Sequence, residues 1–237
     1  MYDLVIGKGE VGSAVGANIK KSGRKIIYHD PDKKIIAKKQ KIDTLNICFP
    51  YSNQFVDIVK KAIDNYEPNL TIIHSTVRVG TTRKIGDVAY SFVRGRHPDI
   101  TEQIVIYCKH VGALNKKTLN SAIKYLKLVG FAKIQKHKDP ETVEFGKLYD
   151  TTYFGVVVAW AKSAKHMADF YGIDWNDIKK IDQSYNVGVI ETKQPHFVRP
   201  ILEPMPGPIG GHCVVPNAKI LQLDFKDLLL DAIINSK

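Results

Sequence analysis

Cysteine is scarce in this 237-residue chain: Cys48, Cys108 and Cys213 are odd in number and far apart. That excludes a disulfide framework and points to a reducing compartment, so a cytoplasmic location is expected. No apolar run approaches the roughly 20 residues that cross a bilayer, and no membrane partner is expected. The amino terminus enters a strand pattern directly, so no signal peptide is expected. Repeats and low-complexity tracts are absent. So are basic residues interleaved with aromatics and any recognisable nucleic-acid module, so nucleic acid is not an expected partner. No metal is expected either.

What is present is ordinary for a globular protein, with 44% hydrophobic and 25% charged residues. The length allows one large domain or two small ones with a full core. The net charge of +11 favours anionic partners. Scattered lysines such as Lys33, Lys34, Lys38, Lys39 and Lys41 supply much of it and read equally as a solvated face.

The organising stretch is Val5-Ile6-Gly7-Lys8-Gly9-Glu10-Val11-Gly12, an apolar strand running into a glycine-punctuated turn and then a helix. Gly7 permits a sharp turn, Gly9 lets the backbone approach a pyrophosphate, and Gly12 lets the helix pack close to the strand. The amides of Gly9, Glu10, Val11 and Gly12 then face the phosphates at the positive end of the helix. A second strand, Lys25 to Tyr28, ends in His29-Asp30. Asp30 falls close to the roughly 20-residue spacing at which an acid bonds the ribose hydroxyl of NAD and repels the 2′-phosphate of NADP. NAD is therefore the expected cofactor.

Strand and helix signals alternate through the first half. Strands are expected at Leu4 to Ile6, Lys25 to Tyr28, Thr44 to Phe49, Leu70 to His74, Val88 to Val93, Ile104 to Cys108 and Ala132 to Gln135, with helices after Gly9, at Tyr51 to Tyr66 and at Lys116 to Leu128. This is an α/β, Rossmann-type, mostly parallel sheet over residues 1–138. A polar, proline-marked boundary follows at Lys136 to Pro140. Residues 139–237 read as a smaller all-helical domain built on one long helix, Glu141 to about Tyr171, apolar on most faces and hence expected to be buried in part by a second copy in a homodimer. Asp174 can cap a helix from Trp175 to Tyr185. A proline-rich stretch and an amphipathic helix from Asn217 end the chain.

The segment Gly207-Pro208-Ile209-Gly210-Gly211-His212-Cys213 resembles the Gly-Gly-x-Cys loop of the nucleotide-sugar dehydrogenases, the UDP-glucose, UDP-N-acetylmannosamine and GDP-mannose dehydrogenase family. Ser75-Thr76-Val77 with Gly80-Thr81-Thr82 is similar to that family's turn beside the nicotinamide, and Glu144 to Leu148, continuing to Thr152-Tyr153, to the start of its central helix. The resemblance implies an NAD-dependent oxidation of a sugar or sugar-nucleotide alcohol. Lys147 would stabilise negative charge on the substrate oxygen, and Cys213 would hold an aldehyde as a thiohemiacetal. Ser75 and Thr76 would lie beside the nicotinamide.

The match departs in places. Thr151 stands where the family has an asparagine one helical turn after the lysine, and Asn217 where it has an aspartate four residues after the cysteine. No acid stands near Phe92 or Val93, and the stretch between Asp30 and Thr44 is short. The family continues into a third domain that cradles the nucleotide, and a shortened form without it is the expectation here. Two other readings therefore stay open: a dinucleotide-binding protein without turnover, and a β-hydroxyacid or 6-phosphogluconate type of dehydrogenase. Arg94, Arg96 and His97 suit an anionic substrate under either enzymatic reading, or are surface charges.

Overall fold

A computed structural model describes residues 2–38, 40–96, 100–211 and 213–236; Lys39, His97 and His212 lie outside them. The chain divides into two compact units, residues 1–147 and 148–237.

The first unit is built on a seven-stranded sheet: β1 (Tyr2–Ile6), β2 (Ile26–His29), β3 (Ile42–Ile47), β4 (Leu70–Ile73), β5 (Ala89–Tyr90), β6 (Lys109–Ala113) and β7 (Ile134–Lys136). The order is β2-β1-β3-β4-β5-β6-β7, parallel throughout except at β5–β6. Side chains alternate across the sheet, so successive residues enter different cores. Val5 packs with Ala14, Val15 and Ile19 of α1 (Glu10–Lys21) and with Ala122 and Leu126 of α5 (Lys116–Leu128). Leu4 and Ile6 face the other way, with Phe55, Val59 and Ala62 of α2 (Phe55–Tyr66). The short helices α3 (Thr81–Ile85) and α4 (Ile100–Gln103) complete the connections.

Only the short segment from Pro31 to Lys41 joins β2 to β3. The usual doubly wound order carries one more strand outside β2, so here β2 is an edge. A groove of about 670 Å³ opens beside it, lined by Tyr2, Gly16, Lys20, Arg24, Ile26 and Tyr28 among others.

The strand expected at Ile104 to Cys108 is displaced: α4 and a turn occupy that region, and the strand is Lys109–Ala113. A lysine is an unlikely-looking start for a buried strand, yet Lys109 is only 2% exposed and its ammonium donates to the carbonyls of Ser91 (2.8 Å) and Phe92 (2.5 Å). Cys108 therefore precedes a strand instead of ending one. The ladder of β5 also stops at Tyr90, short of the expected Val93, where the chain turns toward the Lys109 ammonium.

The long helix α6 spans Pro140–Phe170. Asp139 starts it by accepting the Thr142 amide at 2.8 Å, with Pro140 in the first turn, where a missing amide costs nothing. The division between the units falls inside this helix, because Val143 belongs to the sheet's core and Glu144 bonds to residues of the sheet unit. In the second unit, α7 (Trp175–Glu191) is capped by Asp174, which accepts the Asn176 amide at 2.9 Å, and runs past the expected Tyr185. The expected single last helix is two, α8 (Val214–Gln222) and α9 (Leu228–Asn235). The break has a local cause: Asp227 turns its carboxylate back to the Leu229 amide at 2.8 Å and begins a new helix. Among the described residues this unit contains no strand, and no helix is long and apolar enough to cross a membrane.

Burial pushes the Lys109 ammonium down to about 7 and the Cys48 thiol up to about 12. Between pH 7 and 9 the unfolded chain keeps a proton on Lys109 that the folded chain releases, so stability rises with pH in that window. Above about 9 the buried Cys48 opposes it, since the unfolded thiol ionises first. Urea unfolding should show a gain of about 2 kcal/mol from pH 7 to 9 that is absent in Lys109→Met; equal pH slopes in the two proteins would refute this assignment.

Candidate functional site

The residues singled out from the sequence fall in both units. At the end of β1, Gly7 adopts φ +90°, and a Cβ there would lie 2.8 to 2.9 Å from the Phe49 nitrogen and the Cys48 carbonyl. A Cβ on Gly12 would lie 1.8 Å from the Gly7 carbonyl oxygen, so only glycine lets the first turn of α1 rest on the strand end. Gly9 is the opposite case, with nothing within 4 Å of its Cβ position. The amides of Gly9, Glu10 and Val11 belong to the open first turn of a twelve-residue helix.

Asp30 is 8% exposed and ties this turn to the end of β2. Its carboxylate accepts the Lys8 amide at 2.6 Å and the Lys33 amide at 3.3 Å, while the Lys33 ammonium donates to the Lys8 carbonyl at 2.5 Å. Each carboxylate oxygen has a second acceptor site, so these bonds are compatible with ribose hydroxyls. The turn and Asp30 fit an adenine dinucleotide: a close-packed glycine, an exposed one, an open helix end and a positioned carboxylate.

Ser75 follows β4, and its hydroxyl donates to the Phe49 carbonyl at 2.7 Å, which joins two strand ends. Thr76 is half-buried beside it. The rest of that turn is held by a residue of α6 for which the sequence implies no role. Glu144, completely buried on α6, accepts from the Gly80 amide (2.6 Å), the Thr82 amide (2.7 Å) and the Thr82 hydroxyl (2.6 Å). Burial raises its carboxyl above the ordinary range, and the Thr82 donors oppose that shift. The helix register, placing Glu144 one turn before Lys147, was the available signal.

Lys147 donates to the Val93 carbonyl at 3.3 Å and stands 5.5 Å from the centre of the Phe92 ring. The Arg94 guanidinium lies 5.2 Å from the same ring's centre. The structure thus brings Arg94 and Lys147 around one aromatic side chain. Arg96 is exposed, with its amide on the Gln103 side chain at 2.7 Å.

In the second unit, Cys213 is the half-buried residue that immediately precedes α8. Asn217, one turn on and 4% exposed, donates its side-chain amide to the Thr151 hydroxyl at 3.1 Å. The two positions that depart from the family pattern are therefore hydrogen-bonded to each other as a neutral pair. The loop before Cys213 is tied down by Lys162 of α6, 6% exposed, whose ammonium donates to the carbonyls of Met205 (2.6 Å) and Gly207. Nothing in the sequence distinguished Lys162 from a surface lysine.

No family model matches the chain. It is 30% identical over 201 residues to the UDP-N-acetyl-D-mannosamine dehydrogenase of Methanococcus vannielii, a match covering 75% of this chain and 43% of that protein. The chain resembles the nucleotide-sugar dehydrogenases. It spans under half the length of such curated relatives. Among solved structures, the UDP-D-ManNAc dehydrogenase of Pyrococcus horikoshii superposes with a TM-score of 0.81 at 19% identity, over 98% of this chain and 67% of that one. The 3-hydroxyisobutyrate dehydrogenase of Mycobacterium tuberculosis gives 0.72 at 14% identity, over 99% of this chain and 92% of that one. At these identities the structural likeness concerns the fold, and it agrees with the Rossmann-type sheet and helical unit read from the sequence.

Replacing Glu144 by alanine should leave the Gly80 and Thr82 donors buried and unpaired, lowering stability by roughly 2 to 4 kcal/mol in urea unfolding. A loss under about 0.5 kcal/mol would show that the turn does not depend on this carboxylate.

Proposed function

We propose that the protein is an NAD-dependent oxidoreductase that oxidises an alcohol of a sugar or sugar nucleotide. The glycine turn carries this reading: Gly12 pressed on Gly7, Gly9 open, and Asp30 fixed by the Lys8 amide. Gly7, Gly9, Glu10, Val11 and Gly12 would cradle the diphosphate, Asp30 the ribose, and Ser75 and Thr76 the nicotinamide end. When bound, NAD supplies the hydride acceptor.

The chain's own groups would do the rest. Lys147 places a positive charge at the substrate oxygen, favouring the alkoxide as its proton leaves. Cys213 supplies a thiol that adds to the aldehyde carbon, its proton passing to the carbonyl oxygen. Thr151 and Asn217 offer hydrogen bonds where the family pattern has an amide and an acid, and they bring no charge to a second oxidation. A small anionic substrate agrees with Arg94 and with the basic net charge. We further propose a cytoplasmic homodimer; the exposed Tyr153, Phe154, Trp160, Met167 and Phe170 on α6 support the dimer.

A second reading, oxidation of a small hydroxy acid, draws on one observation: Arg94 and Lys147 share the Phe92 ring, so a carboxylate next to the reacting alcohol would meet a cation.

NADH formation should be followed on UDP-sugars, GDP-mannose and small hydroxy acids. Turnover of a sugar nucleotide, reduced about 10²-fold or more by both Cys213→Ser and Lys147→Ala, is the expected result. Turnover of a hydroxy acid that depends on Lys147 and ignores Cys213 would establish the second reading, and none on any compound would overturn both.

A further inference from the structure

Arg94 bonds to His110, which in turn bonds to His137, and the chemistry above uses neither histidine. His110 lies on β6, and His137 directly follows β7. Nδ1 of His110 is 2.8 Å from Nε2 of His137, and the ring centres are 5.1 Å apart. The other nitrogen of His110, Nε2, is 3.2 Å from an Arg94 Nη.

Imidazole tautomers are ordinarily assigned by choice, but here the partner decides. A guanidinium has donors and no acceptor, so Arg94 donates and His110 Nε2 accepts. The proton of neutral His110 must then sit on Nδ1, from which it donates to His137 Nε2. His137, accepting through Nε2, carries its own proton on Nδ1. The three side chains form a chain of bonds that runs one way, from the guanidinium to His137. Phe92 fixes the plane of the first ring, lying parallel to His110 within 7° at 5.9 Å. The carbonyl of His110 accepts the Ser91 hydroxyl at 2.8 Å, which pins the backbone of both strands beneath.

We infer that His110 and His137 are positioning residues for Arg94: their fixed tautomers aim its guanidinium beside Phe92, next to Lys147, to meet the anionic group of the substrate. What Arg94 meets rests on the oxidoreductase reading; the bond directions do not. Arg94 belongs to the segment Arg94-Gly95-Arg96, in which Gly95 adopts φ +154° and has no side chain to hold it. The bond to His110 Nε2 orders part of a long, rotamer-rich side chain before the substrate arrives, so that part of the ordering cost does not fall on the substrate's affinity.

The test has two readouts. Nitrogen-15 imidazole spectra of the labelled full chain at pH 8 should show both His110 and His137 protonated on Nδ1, and Arg94→Ala should move His110 toward the Nε2–H form. A His110 proton on Nε2 in the wild type, or a spectrum indifferent to Arg94→Ala, would overturn the inference. On whichever compound the NADH assay shows turnover, His110→Phe keeps a ring against Phe92 but removes the acceptor. It should raise KM about tenfold with little change in kcat. His110→Gln, whose side-chain oxygen can stand in for Nε2, should recover most of that loss. An unchanged KM in His110→Phe would overturn the role assigned to the pair. Absence of turnover on every compound would count against the oxidoreductase reading, while the spectra would still decide the bond directions.

Discussion

The first unit depends on a contact that only a missing side chain allows. At Gly12 the backbone of α1 sits so near the Gly7 carbonyl that a single Cβ would overlap it. Gly7 in turn presses on the backbone of Cys48 and Phe49 and donates its amide to His29 at 2.9 Å, so the ends of β1, β2 and β3 meet at one residue. Asp30 closes the arrangement from the β2 side through the Lys8 amide. The result is a helix start, three strand ends and a carboxylate held in fixed relation, the requirement for binding a diphosphate and a ribose at once.

Buried charge is used in a consistent way. Lys109 rests on the carbonyls of Ser91 and Phe92, Glu144 on the amides of Gly80 and Thr82, and Lys162 on the carbonyls of Met205 and Gly207. Each ion is satisfied by backbone dipoles, which offsets part of the cost of removing it from water. Each also fixes an irregular segment next to a residue with a proposed role: Val93, which receives Lys147; the turn after Thr76; and the loop before Cys213. Farther along the sheet, His74, kept neutral by burial, bonds to Ser91 and Asn46, and Asn46 to Tyr125, whose hydroxyl reaches Asp3 beneath Arg24. The sheet is thus pinned by a polar chain as well as by its two apolar cores.

How much of this could be read from the sequence follows from the range of the interactions. The glycine turn, β1, α1 and Asp30 were legible because spacing alone determines them. The long helix was legible from its period, to within a residue at its start: Glu141 expected, Pro140 observed. The strand expected at Ile104 to Cys108 falls instead at Lys109–Ala113, because the distant Ser91 and Phe92 carbonyls let a buried lysine begin it. Glu144, Lys162, His110 and His137 were invisible for the same reason, since their partners are remote in sequence. The Thr151–Asn217 bond joins two separate departures into one neutral pair, a hydroxyl and an amide standing where the resemblance implies an amide and an acid. The short crossover after Asp30 was visible as a length, and its consequence, an uncovered edge at β2, needed the strand order.

The central claim is that the turn at Gly7 to Gly12, with Asp30, is built to hold an adenine dinucleotide. Calorimetric titration of the intact chain with NAD tests it most directly, with Gly12→Ala beside the wild type. The account predicts saturable binding of one NAD per chain, weakened about 10²-fold or more when a Cβ is forced against the Gly7 carbonyl. Absence of binding at saturating NAD, or equal affinity in a folded Gly12→Ala protein, would contradict it.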